Sequence, residues 1–231
     1  MLIPKRKRFD STVTKAVVKV GDGRGFIIGH RVELRDFRGK RVFLNRRLVV
    51  TAAHCLPFFP PCFAASYLHE RTYKNLLGAL DAHKPNVWAE CLFVDPVADV
   101  AVLGSPDGQE LYEQSEAYEG LTDEAPALRI GKAFREGPAW VLSLDGRWRP
   151  CIVMHRGGRL MFKNPSVLIK GGMSGSPILD DNAAAIGVVC LGTDRDVSGP
   201  NPRLEHDLPG WVLRQPRYGR NESRRFVDSS S

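Results

Sequence analysis

The chain has 231 residues, 43% of them hydrophobic and 26% charged, with 22 glycines and 16 prolines. That length makes one large domain or two small ones with a real core, and the composition excludes a coiled coil, a collagen and a wholly disordered chain. The net charge is +7, but residues 1–10 carry +3 and residues 214–231 another +3, leaving +1 for everything between.

The basicity therefore reads as a property of two solvated tails. A groove built to track phosphates would put it in the body, so the charge argues against a nucleic-acid partner. Five cysteines, none in a C-x-x-C pair, give no closely spaced zinc or redox motif, and an odd count fits poorly with a fully disulfide-bonded secreted protein. No apolar stretch follows the cations of residues 1–8, so no signal peptide is expected. The longest nearly apolar run, residues 183–192, is half of what a bilayer span needs. These features predict a soluble, cytoplasmic protein with reduced thiols and no membrane partner.

In chain order, short runs rich in Val, Ile, Leu and Phe occur at residues 17–20, 25–28, 31–34, 41–44 and 48–51, with turn chemistry at Gly21-Asp22-Gly23 and Phe37–Lys40. This spacing predicts antiparallel strands. Three prolines within residues 57–61 forbid a ladder or helix there and predict a loop. Strand-like text resumes at 87–94 and 100–103, then gives way to a polar, acidic stretch over 105–124 that reads as the connection between two units. The second half repeats the style at 139–144, 148–154, 159–162, 167–170, 177–179 and 185–191, with Asp145-Gly146 and Gly157-Gly158 as turns. Residues 210–215 predict a short terminal helix. Two halves of about six strands each predict an all-β chain of two small barrels or sandwiches packed together.

Three places carry chemistry. Leu48-Val-Val-Thr-Ala-Ala-His54-Cys55 is an apolar strand that delivers a histidine where the chain turns into the proline-bound loop. In Asp95-Pro-Val-Ala-Asp99-Val-Ala-Val-Leu103, period-2 alternation puts Asp99 on one face with Ala101 and Leu103, where a carboxylate needs a partner, whereas Asp95 before Pro96 suits a turn. Lys170-Gly-Gly-Met-Ser174-Gly-Ser-Pro177 is a glycine-rich turn around one serine, able to aim successive N–H groups into a small anion cradle.

Taken in order, Thr51-Ala-Ala-His54-Cys55, Asp99-Val-Ala-Val-Leu103 and Gly172-Met-Ser174-Gly-Ser-Pro177, separated by 45 and 75 residues, resemble the three signature segments of the trypsin/chymotrypsin-like serine proteases, over about residues 13–214. The resemblance implies two packed antiparallel six-stranded β-barrels with a short C-terminal helix. It divides the chain into a basic tail (1–12), a barrel carrying His54 and Asp99 (13–112), a linker (113–126), a barrel carrying Ser174 (127–214) and a second basic tail (215–231). It implies Ser174 as nucleophile, His54 as general base and acid, Asp99 as the group that orients His54, and the N–H groups of Gly172 and Ser174 as an oxyanion hole, each donor contributing on the order of 3 kcal/mol. The substrate is a protein or peptide, and no cofactor or metal is implied. The order His, Asp, Ser excludes the α/β-hydrolase arrangement.

The chain departs from the digestive members of that family at several positions. Met173 replaces the acid that pairs with a newly cut N-terminus, and no Arg-Ile-Val-Gly-Gly site occurs near residue 13, so the site is preformed or ordered by something else, such as an activating partner or the substrate. Gly39 and Lys40 stand where a disulfide partner for Cys55 is expected, which implies a free thiol. The 17 residues after Arg214 are too few for the PDZ domain of the heat-shock-induced relatives. Leu168 stands where relatives that cut after Lys or Arg carry an acid, and Cys190, Leu191 and Gly192 fall on the substrate-pairing strand and pocket wall. This implies a small or medium apolar side chain before the scissile bond. The alternative is an inactive protease-like module that binds peptides or proteins.

Overall fold

A computed structural model describes residues 9, 11–61, 68–132, 135–163, 169–190 and 197–214. A short helix α1 (Ser11–Lys15) precedes β1 (Val17–Val20), β2 (Gly23–Arg35) and β3 (Arg41–Thr51). A 3-10 turn (Ala53–Cys55) and α2 (Leu68–Arg71) lead to β4 (Thr72–Ala79), β5 (Val87–Asp95) and β6 (Val100–Gly104). Helix α3 (Tyr112–Asp123) separates these from β7 (Glu136–Leu142), β8 (Trp148–Arg156), β9 (Arg159–Lys163), β10 (Pro177–Leu179), β11 (Ala185–Val188), β12 (Val197–Asn201) and α4 (Leu204–Asp207). The first six strands close a barrel in the order β1-β2-β3-β6-β5-β4, and the second six form an antiparallel sheet in the order β11-β10-β7-β8-β9-β12. A bridge from Gly187 to Arg203, just past β12, brings the two edges of that sheet together. These are the two six-stranded antiparallel β units that the sequence implied, the first a closed barrel and the second a sheet.

Alternation explains why the strand runs are so continuously apolar. Ile27, Val49, Ala101 and Leu103 point into the first barrel, and Ala139, Val141, Ile178 and Ile186 into the second unit. Their neighbours Phe26, Ile28, Val50, Val100, Val102, Trp140, Leu142, Leu179 and Val188 meet in a third cluster at the seam between the units. A strand buried on both faces loses the polar half of its alternation. The segment that crosses the seam bonds to both sides: Leu128 N donates to Ile27 O at 2.8 Å, and Gly131 N to Ala185 O at 2.8 Å.

Several elements differ from the sequence expectations. The pairs 25–28 with 31–34, and 41–44 with 48–51, are single long strands, because β2 and β3 pair without interruption from Gly25/Thr51 to Arg35/Arg41. Strand β4 was not expected: Asn75 at φ 53 lies within a register shift between Tyr73 and Leu77, and this bulge erases the period-2 pattern. The acidic stretch contains α3, which packs on β5 and β3 through Tyr118. Near the C-terminus the helix is α4, while residues 209–214 form turn hydrogen bonds instead. Leu208 is extended at φ −89, ψ 141, the conformation favoured before Pro209, so the helix stops there. The expected strand at 167–170 lies partly outside the described residues, as do both tails apart from Phe9, residues 11–12 and Arg214.

Tyr118 is fully buried, and its hydroxyl lies 3.2 Å from Arg47 O and 3.3 Å from Leu103 O. We expect Tyr118→Ala to cost roughly 3–5 kcal/mol in urea unfolding and Tyr118→Phe only about 1 kcal/mol, since the ring and not the hydroxyl carries most of the anchoring.

Candidate active site

The site is assembled from strand ends on the two sides of the seam. Beyond Thr51 the chain leaves β3 into the 3-10 turn that holds His54. Asp99 is the last residue of the turn between β5 and β6, at φ 58, and does not lie on the strand as alternation predicted. Aspartate tolerates this left-handed conformation better than most residues. Asp95 shapes the turn, its Oδ1 accepting from the N–H groups of Val97 and Ala98 at 2.9 Å each.

Asp99 holds His54 twice. The His54 backbone N donates to Oδ1 at 3.0 Å, and the ring Nδ1 meets Oδ2 at 2.8 Å. This fixes the ring orientation and leaves Nε2 on the free edge, with 43% of the His54 side chain and 25% of the Asp99 side chain exposed. The Asp99 hydrogen bond raises the His54 pKa above its usual value against an opposing effect of burial. Burial pushes the Asp99 carboxyl up, but the hydrogen bonds from the His54 ring and backbone outweigh it and hold the carboxyl below its usual range.

Ser174 belongs to the second unit and is pressed against the first. Its carbonyl accepts from Arg24 N at 2.7 Å. A Cβ on Gly175 would stand 1.7 Å from Arg24 O and 2.6 Å from Thr51 Oγ1, and one on Gly23 would meet Cys55 Sγ at 2.5 Å and Ser174 O at 2.8 Å. Glycine at these two positions lets the serine turn and the histidine turn share one contact surface. Thr51 Oγ1 donates to Arg24 O at 2.7 Å, and the Arg24 guanidinium crosses the seam to Leu142 O at 2.8 Å and Ser143 O at 3.3 Å. Sequence reasoning missed Arg24 as part of the site and read Gly23 and Gly175 only as turn residues, because a contact between residues 24 and 174 leaves no local pattern.

The turn before Ser174 is ordered from within. Met173 is buried in the second core, its sulfur 3.5 Å from Lys170 N, where an ion-pairing acid was the alternative. Met173 N donates to Lys170 O, Ser176 N to Met173 O and Gly175 N to Val189 O. Gly172 adopts φ 83. Among the described residues the N–H groups of Gly172 and Ser174 donate to no protein acceptor, as a pair of oxyanion donors requires.

Ser174 Oγ donates to Cys190 O at 3.3 Å, and no hydrogen bond joins it to His54 among the described residues. Cys190 is buried: its thiol donates to Asp99 O at 3.1 Å and its N–H to Asn201 Oδ1 at 2.9 Å. Its carbonyl accepts from the serine, and its thiol supports Asp99 from the second unit. Cys55, Cys91, Cys151 and Cys190 are free thiols, and burial pushes Cys55 up to about 11. Leu168, Leu191 and Gly192 lie outside the described residues. Among the described residues no three His, Cys, Asp or Glu side chains converge as metal ligands.

No family model matches the chain, and no curated protein matches it by sequence. Similar solved structures include the serine protease of human pathogenic astrovirus, at 16% identity over 80% of this chain and 87% of that one, TM-score 0.42. Others are an inactive form of Rv3671c from M. tuberculosis H37Rv, at 18% identity over 85% and 89%, TM-score 0.45, and the MamO protease domain from Magnetospirillum magneticum, at 14% over 84% and 94%, TM-score 0.46. The roles proposed for residues in this chain rest on its own geometry.

Gly175→Ala brings a backbone clash and a strained φ of 82, so we expect it to abolish any activity of Ser174 and to destabilise the fold by at least about 1–3 kcal/mol. Gly171→Ala, with open space around its Cβ, serves as the control and leaves both unchanged in activity assays and thermal melts.

Proposed function

We propose that this protein is a serine endopeptidase that cleaves peptide bonds through an acyl-enzyme on Ser174. The observation that carries this reading is the two-point grip of Asp99 on His54, next to a serine turn docked on the strand ends that support them. His54 takes the Ser174 hydroxyl proton as Oγ attacks the scissile carbonyl, and returns it to the leaving amine. Water then repeats the cycle to release the acyl group. Asp99 keeps Nδ1 protonated and stabilises the imidazolium, and the Gly172 and Ser174 N–H groups receive the oxyanion. Buried Met173 supports a turn that needs no new N-terminus for its order. The specificity reading, an apolar side chain before the scissile bond, stands on the sequence at Leu168 alone. The free thiols support a reducing compartment.

The hydrogen bond from Ser174 Oγ to Cys190 O favours a second reading, a module that binds peptides along this edge without turnover. That bond does not exclude the first reading, since catalytic hydrogen bonds often tighten only with substrate present. A fluorophosphonate probe decides between them. We expect it to label the folded chain at Ser174 and not in Ser174→Ala, whereas peptide capture without labelling would select the binding module.

The reaction requires neutral His54, and Asp99 lets that ring keep its proton to higher pH. We therefore expect kcat/KM to rise with pH through a midpoint above 6.5, and that midpoint to fall in Asp99→Asn together with the rate.

A further inference from the structure

Strands β2 and β3 outrun the barrel. Pairing with β1 reaches only Phe26 of β2, and pairing with β6 only Val49 of β3. Beyond these the two strands continue as a ribbon to Arg35 opposite Arg41. Residues directly opposite share a face. One face carries Val32 opposite Leu44 and Leu34 opposite Val42. Leu34, Val42 and Leu44 are 44%, 39% and 40% exposed, and the connecting turn ends the strip with Phe37, 91% exposed.

The same segment is strongly basic. Residues 31–47 hold seven Lys or Arg against Glu33 and Asp36. Both acids are engaged: Asp36 accepts from the N–H groups of Arg38 and Lys40 to close the turn, and Glu33 pairs with Arg41 at 3.2 Å. Among the described residues Arg35, Arg38 and Lys40 have no carboxylate partner, and the Arg38 guanidinium lies 5.1 Å over the Phe37 ring.

An exposed apolar strip on a projecting ribbon gives the isolated chain no stability and invites aggregation. A nucleic acid would engage the cations and leave the aliphatic strip in water, and a neutral protein groove would do the reverse. An anionic bilayer uses both, because apolar side chains enter the acyl boundary while cations meet headgroup phosphates. We propose that the β2–β3 ribbon is an interfacial anchor that docks on an anionic lipid bilayer with Phe37 inserted. The sequence expectation of no membrane partner rested on the shortness of its apolar runs, and no helix among the described residues is long and apolar enough to cross a membrane; an anchor lying in the interface needs no such span.

Cosedimentation of the full chain with phosphatidylcholine vesicles, with and without phosphatidylserine, tests this. We expect binding only with phosphatidylserine present, weakened by salt, and reduced about tenfold or more both by Phe37→Ser and by the pair Arg38→Glu, Lys40→Glu. Unchanged thermal melting of these surface variants verifies their folding. Absence of binding by the intact chain overturns the proposal, as does equal binding to phosphatidylcholine alone. So does binding that survives both ribbon variants and vanishes on removing residues 1–10 and 215–231. Retention of a single-stranded RNA oligonucleotide, lost in the charge variant while vesicles are ignored, would assign the ribbon to nucleic acid instead.

Discussion

The candidate site depends on one close approach, the turn around Ser174 lying against Arg24 and Thr51 with no side chain at Gly175 to hold them apart. The Arg24 N–H donates to the Ser174 carbonyl and the Arg24 carbonyl accepts from the Thr51 hydroxyl, so the serine turn and the approach to His54 are fixed to the same residue. Because Arg24 also reaches Leu142 and Ser143 with its guanidinium, the seam is held by polar contacts at the candidate site. Elsewhere the seam is held by apolar burial, which is strong and not directional. A buried guanidinium that bonds three times to two carbonyls costs desolvation, reflected in its lowered pKa, and compensates through placement.

The seam also explains how two units on opposite sides can present one candidate site. Strands β2, β3 and β6 bury Phe26, Ile28, Val50, Val100 and Val102 against Trp140, Leu142, Leu179 and Val188, so neither unit can shift without exposing the other's apolar face. His54 and Asp99 leave the first barrel at its seam edge, and Cys190 from the second unit supports Asp99 through its thiol. The pair His54–Asp99 is therefore buttressed by the unit that carries Ser174.

Net charge conceals a second organisation. The body carries only +1, yet residues 31–47 hold an excess of five cations and residues 105–124 hold seven Asp or Glu with no Lys or Arg. The structure separates them: the cations ride on the projecting β2–β3 ribbon, and most of the acids on helix α3 or just before it. A summed charge describes solubility; a partner meets the local field.

The sequence by itself determined most strand segments of both units, β4 and β12 excepted, most of the turns, and the choice of His54, Asp99 and Ser174 as the groups worth placing. These are local properties, because alternation, glycine in turns and a polar residue in an apolar run are written in neighbouring positions. Only the tertiary structure decided that two pairs of short runs are single strands, that Asn75 sits in a bulge of β4, that Asp99 leaves its strand to meet His54 at 2.8 Å, and that an acidic stretch is a helix anchored by Tyr118. Each depends on a partner surface tens of residues away in the chain. Pairing, bulging and close approach are energies between segments, and a single segment does not carry its partner's half of them.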